Sequence, residues 1–274
     1  MIRFKRSFIA PAAFALLLAG GAFGLAQTED EQPNPPEQSW GFHGVFGKFN
    51  QAQLQRGFQV YKEVCSTCHR LSIPFRTMED PDGPGYSVAQ VKTLAASYQV
   101  QNDEPNDKGE MFKRPGTPAD FFPPPDAFPN DQAAVAAMGK APPDMSLLAK
   151  SLKYERGFPT FVFDVFDLYQ EMGADYIYAI LNGYTHPNDP QWNLYYPGHK
   201  IAMPQPILDG AVKYSDGTPA TLQNYSQDIA AFLTWASEPT MVERKKIGFR
   251  VIIFLIILSS LLYLTKRKIW AAAH

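Results

Sequence analysis

The chain has 274 residues, of which 45% are hydrophobic, and a formal net charge of −2. This length suits one large domain or two small ones, and the charge balance gives no electrostatic case for nucleic-acid binding. The 24 prolines exceed the usual share of about 5%. Because they cluster between apolar stretches, we expect long, proline-stiffened loops around a modest helical core.

The N-terminus has the pattern of a secretory signal peptide. Basic residues within 3–6 precede an apolar run over 8–25, and acidic, polar sequence follows at once. An uncleaved membrane anchor is the alternative, but Pro11 and a Gly-Gly pair weaken a membrane helix there. We therefore predict a cleaved signal peptide over 1–26 and an exported domain over 27–240, on the periplasmic side of a bacterial membrane.

Apolar periodicity predicts a series of helices in the exported domain. The clearest signals lie over 51–65 and 221–237, where apolar side chains recur at helical spacing. Segments 101–130 and 187–206 are rich in proline or polar residues and are predicted as loops. Shorter helices are predicted over 88–96, 132–138, 144–152 and 175–182. With few strand-like alternations, the exported domain is predicted to be mainly α.

The only two cysteines lie in the segment EVCSTCHR, as Cys65 and Cys68, and His69 follows the second. A disulfide is compatible with export, but it would close a very short loop and leave His69 unexplained. A zinc site needs about four ligands, and the other histidines show no paired spacing. A redox dithiol motif usually follows a strand, whereas here an amphipathic helix precedes it.

The spacing C-x-x-C-H is typical of covalent attachment of a c-type haem. The two thiols bond to the haem vinyl groups, and the adjacent histidine lies under the iron as an axial ligand. Predicted export and the absence of other cysteines favour this interpretation over the three alternatives. We therefore predict one covalently bound haem c.

The second axial ligand is predicted to be Met203. It lies in HKIAMPQPI, within a predicted loop, and is followed by Pro204 and Pro206, which restrict the backbone. His199 is the alternative, while the other methionines in the body of the chain look like ordinary loop or core residues. Ligation by histidine and methionine raises the reduction potential and fills both axial positions, so we expect electron transfer rather than oxygen chemistry.

One membrane-spanning helix is predicted over 247–264. The run is close to the roughly 17–25 residues that a span requires, and it has no polar face. Basic residues flank both ends, so the positive-inside rule decides little. The predicted signal peptide places the main domain outside, and residues 265–274 are then a cytoplasmic tail.

Five segments of the chain resemble the cytochrome c1 family. In chain order they are RGFQVYKEVCSTCHR, APPDMS, YYPGHKIAMPQPI, DGTPAT and FLTWASEP, the last shortly before the span. The likeness covers nearly all of the chain after the predicted signal peptide. It implies a mainly α, class I-like cytochrome c domain with long Pro-rich loops and one C-terminal transmembrane helix.

The resemblance also implies the residues around the haem. A backbone carbonyl from a Pro-Pro pair would orient the histidine ring through its second nitrogen and raise its basicity. The implied residues are Cys65 and Cys68 for covalent attachment, His69 and Met203 as iron ligands, and Pro142 and Pro143 in the haem pocket.

Function and partners follow from the same resemblance. It implies that the chain carries electrons from the Rieske iron–sulfur protein to cytochrome c within a dimeric ubiquinol–cytochrome c reductase complex, beside cytochrome b. The chain alone would catalyse nothing. A thiol–disulfide oxidoreductase and an anchored cytochrome serving an oxidase or reaction centre are the alternatives. Acidic stretches over 29–31 and 79–82 could steer a basic carrier, although solvated loops look the same in sequence.

The chain departs from the family at one position near the predicted pocket. Many family members carry an arginine that pairs with a haem propionate, and here Leu152 stands in its place. Three nearby cations, Lys150, Lys153 and Arg156, are candidates for that role. Some bacterial relatives also contain an extra disulfide, which this chain cannot form if both cysteines hold haem.

Overall fold

Helices carry most of the regular structure in the computed structural model, which describes residues 32–167 and 169–271. The predicted signal peptide lies outside the described residues. Two three-residue strands pair antiparallel, with Val100 opposite Arg114. The elements are α1 (Gln51–Glu63), α2 (Val88–Ala96), β1 (Gln99–Gln101), β2 (Lys113–Pro115), α3 (Asp131–Met138), α4 (Leu148–Ser151), α5 (Thr160–Asp167), α6 (Met172–Asn182), α7 (Leu222–Ser237) and α8 (Met241–Ala271).

The mainly α prediction is confirmed, and most helix predictions are correct to within a few residues. α1 ends at Glu63 rather than at the first cysteine, because a 3₁₀ turn begins there. The segment predicted as one helix over 144–152 is a 3₁₀ turn over Met145–Leu147 followed by the single turn of α4. Ser87 and Thr221 cap the N-termini of α2 and α7 through their side chains.

Three elements, namely both strands and one helix, were not predicted from the sequence. β1 follows the helix predicted over 88–96, and β2 lies inside the segment predicted as loop. Strands of three residues are too short to show an alternating pattern. α5 was not predicted either, although its sequence TFVFDVFD has an amphipathic helical pattern, because its eight residues make only about two turns.

The core forms where α1 packs against α7. The predicted apolar face of α1 is buried through Leu54, Phe58 and Tyr61, and α7 buries Phe232 and Trp235 against it. Such burial contributes roughly 1.5–3 kcal/mol for each large apolar side chain. This packing fixes α1 within the domain and thereby places the cysteine turn, which begins at the C-terminal end of α1.

A partly buried ion pair also joins α1 to α7. The Arg56 guanidinium donates from Nε to Asp228 Oδ2 at 2.7 Å and from Nη2 to Oδ1 at 3.0 Å. Asp216 accepts from Nη1 at 2.9 Å. Bidentate pairing of this kind restricts geometry, so the pair helps to fix the register of the two helices.

We expect Gly57→Ala to destabilise the domain, because the backbone of α7 lies close to Gly57 of α1. An added Cβ would lie 2.1 Å from the Asp228 carbonyl oxygen and 2.6 Å from Phe232 Cβ. Overpacking typically costs about 1–3 kcal/mol, and a clash with backbone favours the upper end. Thermal unfolding of the full chain in detergent, followed by circular dichroism, measures the loss. Gly248→Ala in α8, where an added Cβ meets open space, is the matched control; equal midpoints for the two variants would contradict the prediction.

α8 contains the predicted span and extends beyond it at both ends. It is the one helix of the described residues that is long and apolar enough to cross a membrane, and none of its apolar window is buried. Its 31 residues correspond to about 46 Å at 1.5 Å per residue, which exceeds the roughly 30 Å of a hydrocarbon core. The helix is longer than the apolar run because the basic residues on both sides of that run are also helical.

Candidate haem-binding site

The two cysteines and the adjacent histidine come from one tight turn at the end of α1. The amides of Cys68 and His69 both donate to the carbonyl of Cys65, at 3.1 and 2.9 Å. Both thiols are free and half-buried, and Cys65 packs against the core. A single turn therefore holds the three side chains that covalent haem attachment requires.

The His69 ring is held by a main-chain acceptor from a distant part of the chain. Its Nδ1 lies 2.9 Å from the carbonyl oxygen of Pro143. Since a carbonyl can only accept, Nδ1 carries the proton and Nε2 has the free lone pair that a metal ligand needs. Burial lowers the pKa of His69, although the Pro143 carbonyl acts in the opposite direction, so the ring is neutral at neutral pH.

Asp144 ties the segment after His69 to the segment that contains Pro143. Its carboxylate accepts from Ser72 Oγ at 2.5 Å and from the Ser146 amide at 2.7 Å. The Ser72 amide donates to Ser146 Oγ at 2.5 Å, and the Met145 amide donates to the Arg70 carbonyl at 2.9 Å. In the sequence, Asp144 is only the first residue of the helix predicted over 144–152, and Ser72 carries no signal.

We expect Asp144→Ala to loosen the contact between His69 and the Pro143 carbonyl. Hydrogen bonds to a charged group contribute about 1.5–3 kcal/mol each, so the thermal midpoint falls. The haem potential rises, because a weaker bond at Nδ1 lowers imidazole basicity. A redox titration and a thermal melt measure the two effects. Asp107→Ala removes an exposed carboxylate of equal charge and should change neither; a similar change in both variants would contradict the positioning role.

Met203 lies in a separate loop that α6 holds in place. The Tyr184 hydroxyl, just after α6, donates to the Met203 carbonyl at 2.9 Å, and Gln191 Nε2 donates to the Ala202 carbonyl at 3.2 Å. The Met203 side chain is half-buried. Within the described residues, no hydrogen bond joins this loop to the cysteine turn. The two predicted iron ligands are thus supported by different parts of the fold, and Tyr184 is a support that sequence reasoning missed.

His199, the alternative ligand, has a structural role in the same loop. Its Nδ1 lies 3.1 Å from the Asn193 carbonyl oxygen, and its ring stacks on Trp192 with centroids 5.2 Å apart. It adopts φ of 55°, directly after Gly198 at φ 69°. A left-handed backbone conformation is uncommon for residues other than glycine. The stacking of the His199 ring on Trp192 helps to maintain this sharp turn of the backbone. These contacts give the His199 ring a structural role in the loop, and Met203 as the second iron ligand stays a prediction.

Two of the three cations considered for the propionates are already paired. Lys150 Nζ lies 3.2 Å from Glu238 Oε2. Arg156 is almost fully buried, with Nε 2.9 Å from Asp164 Oδ2. Lys153 is exposed. Lys153 is therefore the more available of the three, and the assignment of a propionate partner stays a prediction.

The donor set fits a haem better than the alternatives. It offers two free thiols, an imidazole with an unprotonated Nε2, and a thioether on a supported loop. Among the described residues, no group of three or more His, Cys, Asp or Glu side chains could hold a metal ion. Burial raises the pKa of the Cys65 thiol to about 12, whereas a redox-active dithiol needs a depressed thiol pKa.

Comparison with known proteins shows similarity to one protein family. The family model described as "Cytochrome C1 family" matches residues 40–273. The chain is 42% identical to cytochrome c1 of Blastochloris viridis, over 97% of this chain and 96% of that protein. It is 50% identical to a protein named cytochrome b/c1 from Bradyrhizobium diazoefficiens, over 97% of this chain but only 40% of the relative. Mitochondrial cytochrome c1 of Schizosaccharomyces pombe is 40% identical, over 85% of this chain and 71% of that protein.

Proposed function

This chain belongs to the cytochrome c1 family, and on that premise we propose that it is the haem-bearing electron-transfer subunit of a cytochrome bc1 complex. In that complex it accepts electrons from a Rieske iron–sulfur protein and passes them to a cytochrome c. The observation that carries the proposal is the turn Cys65–His69, in which two free thiols adjoin an imidazole whose Nδ1 is held by the Pro143 carbonyl.

The residues of the chain divide the task of holding one haem c. Cys65 and Cys68 would hold the haem through two thioether bonds, each made by adding a thiol S–H across a vinyl group, so that no oxidant is needed. His69, through Nε2, and Met203, through its sulfur, would bind the iron. When bound, the haem iron supplies one-electron redox chemistry. With both iron ligands supplied by the protein, the site would offer no place for a substrate, which matches a carrier that catalyses nothing by itself.

The surrounding residues keep the ligands in place. The Pro143 carbonyl keeps the proton on Nδ1 of His69 and fixes the plane of the ring. Asp144 follows Pro143 and fixes the position of this segment by accepting hydrogen bonds from the Ser146 amide and from Ser72 Oγ. The Tyr184 hydroxyl donates to the Met203 carbonyl and fixes the backbone of that residue. Because little has to move when the charge of the site changes, such a rigid arrangement suits rapid electron transfer.

In the membrane, α8 anchors the chain. We propose that residues 1–26 direct export, that the domain over 27–240 lies on the periplasmic side of a bacterial cytoplasmic membrane, and that residues 265–274 are cytoplasmic. The apolar window of α8, none of which is buried, supports the anchoring. Insertion of cytochrome b beside α8 would cover part of that surface.

The proposed partners are a Rieske protein, cytochrome b and an acceptor cytochrome c, in a dimeric complex. The predicted acidic stretch over 79–82 is a poor candidate for attracting the acceptor. Asp82 pairs with Lys246 at 2.7 Å, and Asp80 accepts from Trp235 Nε1 at 3.2 Å. These carboxylates are engaged in holding the domain, and the stretch over 29–31 lies outside the described residues.

A pyridine haemochrome spectrum combined with a redox titration tests the haem assignment. We expect one c-type haem per chain and a single one-electron transition. Purification from membranes tests the assignment to a complex, with cytochrome b and a Rieske protein expected in the same fraction. A purified chain without haem would indicate a thiol–disulfide function instead, and copurification with a terminal oxidase would indicate a different electron-transfer chain.

A further inference from the structure

The loop over 41–48 exposes apolar side chains beside the start of α8. Val45 and Phe46 are both exposed, and Phe46 retains 74% of its accessible surface. The Phe46 ring meets the Phe249 ring of α8 edge-on, with centroids 5.2 Å apart and an interplanar angle of 71°. The exposed tip of the 41–48 loop therefore lies against the exposed apolar surface of α8.

The position of this tip is built into the fold. The Lys48 amide donates to the Gly41 carbonyl at 2.9 Å, which closes the loop. Lys245 Nζ, from the first turns of α8, donates to the Phe42 carbonyl at 2.6 Å. The Phe42 ring is buried and packs 4.8 Å from the Phe49 ring. One phenylalanine thus anchors the loop inside the core, while Phe46 is held outside.

The depth of Phe46 follows from its contact with α8. The apolar run of α8 begins at Ile247, and Phe249 lies two residues further on, which is about 3 Å along a helix axis. The Phe46 ring touches Phe249, so it lies near the level at which headgroups meet hydrocarbon. Aromatic side chains are enriched at this level of a bilayer.

The charges around the loop favour the same surroundings. Lys48, at the end of the loop, and Arg250, one residue beyond Phe249, are both exposed. Basic side chains at this depth interact favourably with anionic lipid headgroups, and long side chains can reach outward from a helix to them. A mixed aromatic and basic surface of this kind suits lipid better than the apolar surface of another membrane helix.

We propose that the 41–48 loop is a second membrane contact of this chain, with Val45 and Phe46 inserted at the headgroup boundary and Lys48 facing lipid phosphates. The inference rests on the proposed role of α8 as a membrane span. With α8 as the only membrane contact, the haem domain could tilt relative to the membrane about the connection between α7 and α8. A second contact restricts this tilt. The loop therefore sets the orientation of the haem domain relative to the membrane surface.

Photocrosslinking of the full chain tests the proposal. The photoreactive residue p-benzoylphenylalanine is placed at position 46, at position 254 in the middle of the apolar run, and at position 121, an exposed phenylalanine in neither segment. Each protein is reconstituted in nanodiscs of phosphatidylcholine and phosphatidylglycerol, and lipid adducts are measured by mass spectrometry. We expect adducts at positions 46 and 254, each severalfold above those at position 121.

The three positions separate the two possible failures. Lipid adducts at 254 together with background levels at 46 would overturn the loop contact and leave α8 as a span. Background levels at all three positions would overturn the span itself, and the loop contact with it. In the complex purified from membranes, a protein adduct at 46 in place of lipid would show that another subunit covers the loop, which also overturns the proposal.

Discussion

Replacement of both Cys65 and Cys68 with alanine is expected to abolish covalent haem attachment completely. The two thiols are the only cysteines of the chain, and each forms one of the two proposed thioether bonds. No other side chain can substitute for them. Haem staining after denaturing gel electrophoresis measures the loss, because only covalently bound haem stays with the unfolded chain. Each single variant is expected to keep one bond and to show a shifted haemochrome spectrum.

Ser66→Ala provides a matched control inside the same turn. It removes only the hydrogen bond from Ser66 Oγ to the Lys62 carbonyl, at 2.8 Å, and leaves both thiols in place. We expect normal haem attachment in this variant. Haem that stays bound to the denatured double cysteine variant would refute the covalent assignment, whereas loss of haem in the Ser66 variant would mean that the turn tolerates no change at all.

Replacement of Met203 with leucine is expected to lower the haem potential and convert low-spin iron to a partly high-spin form. Leucine is similar in volume, so the loop can keep its packing, but it offers no donor atom to the iron. Axial ligands set haem potentials over a range of about 0.8 V, and we expect the fall to be a sizeable part of that range. Redox titration and the optical spectrum measure the two changes.

Two other variants complete this test. Met111→Leu changes an exposed methionine in the loop between β1 and β2 and should leave the potential unchanged. His199→Gln removes the imidazole that stacks on Trp192, and we expect a loss of stability without a change of ligand. An unchanged potential in the Met203 variant, together with an altered spectrum in the His199 variant, would assign His199 as the ligand instead.

Local spacing in the sequence was sufficient for a large part of the fold and of the proposed site. The thiols at Cys65 and Cys68 can serve one haem because they lie three positions apart, and this spacing is visible without a structure. The amphipathic face of α7 and the apolar run within α8 are also local patterns. The sequence analysis did not predict β1, β2 or α5, which are all short elements.

The sequence by itself determined which groups the proposed site can use, namely two thiols, an imidazole and a thioether, and that one apolar run is long enough to span a membrane. Only the tertiary structure decided how these groups are held. Pro143, rather than Pro142, faces His69 across 74 positions of sequence, and Arg56 meets Asp228 across 172. The Phe46 ring contacts the Phe249 ring, which is also distant in sequence. Such contacts depend on how α1, α7 and α8 pack, and packing joins residues whose separation in sequence carries no periodic signal.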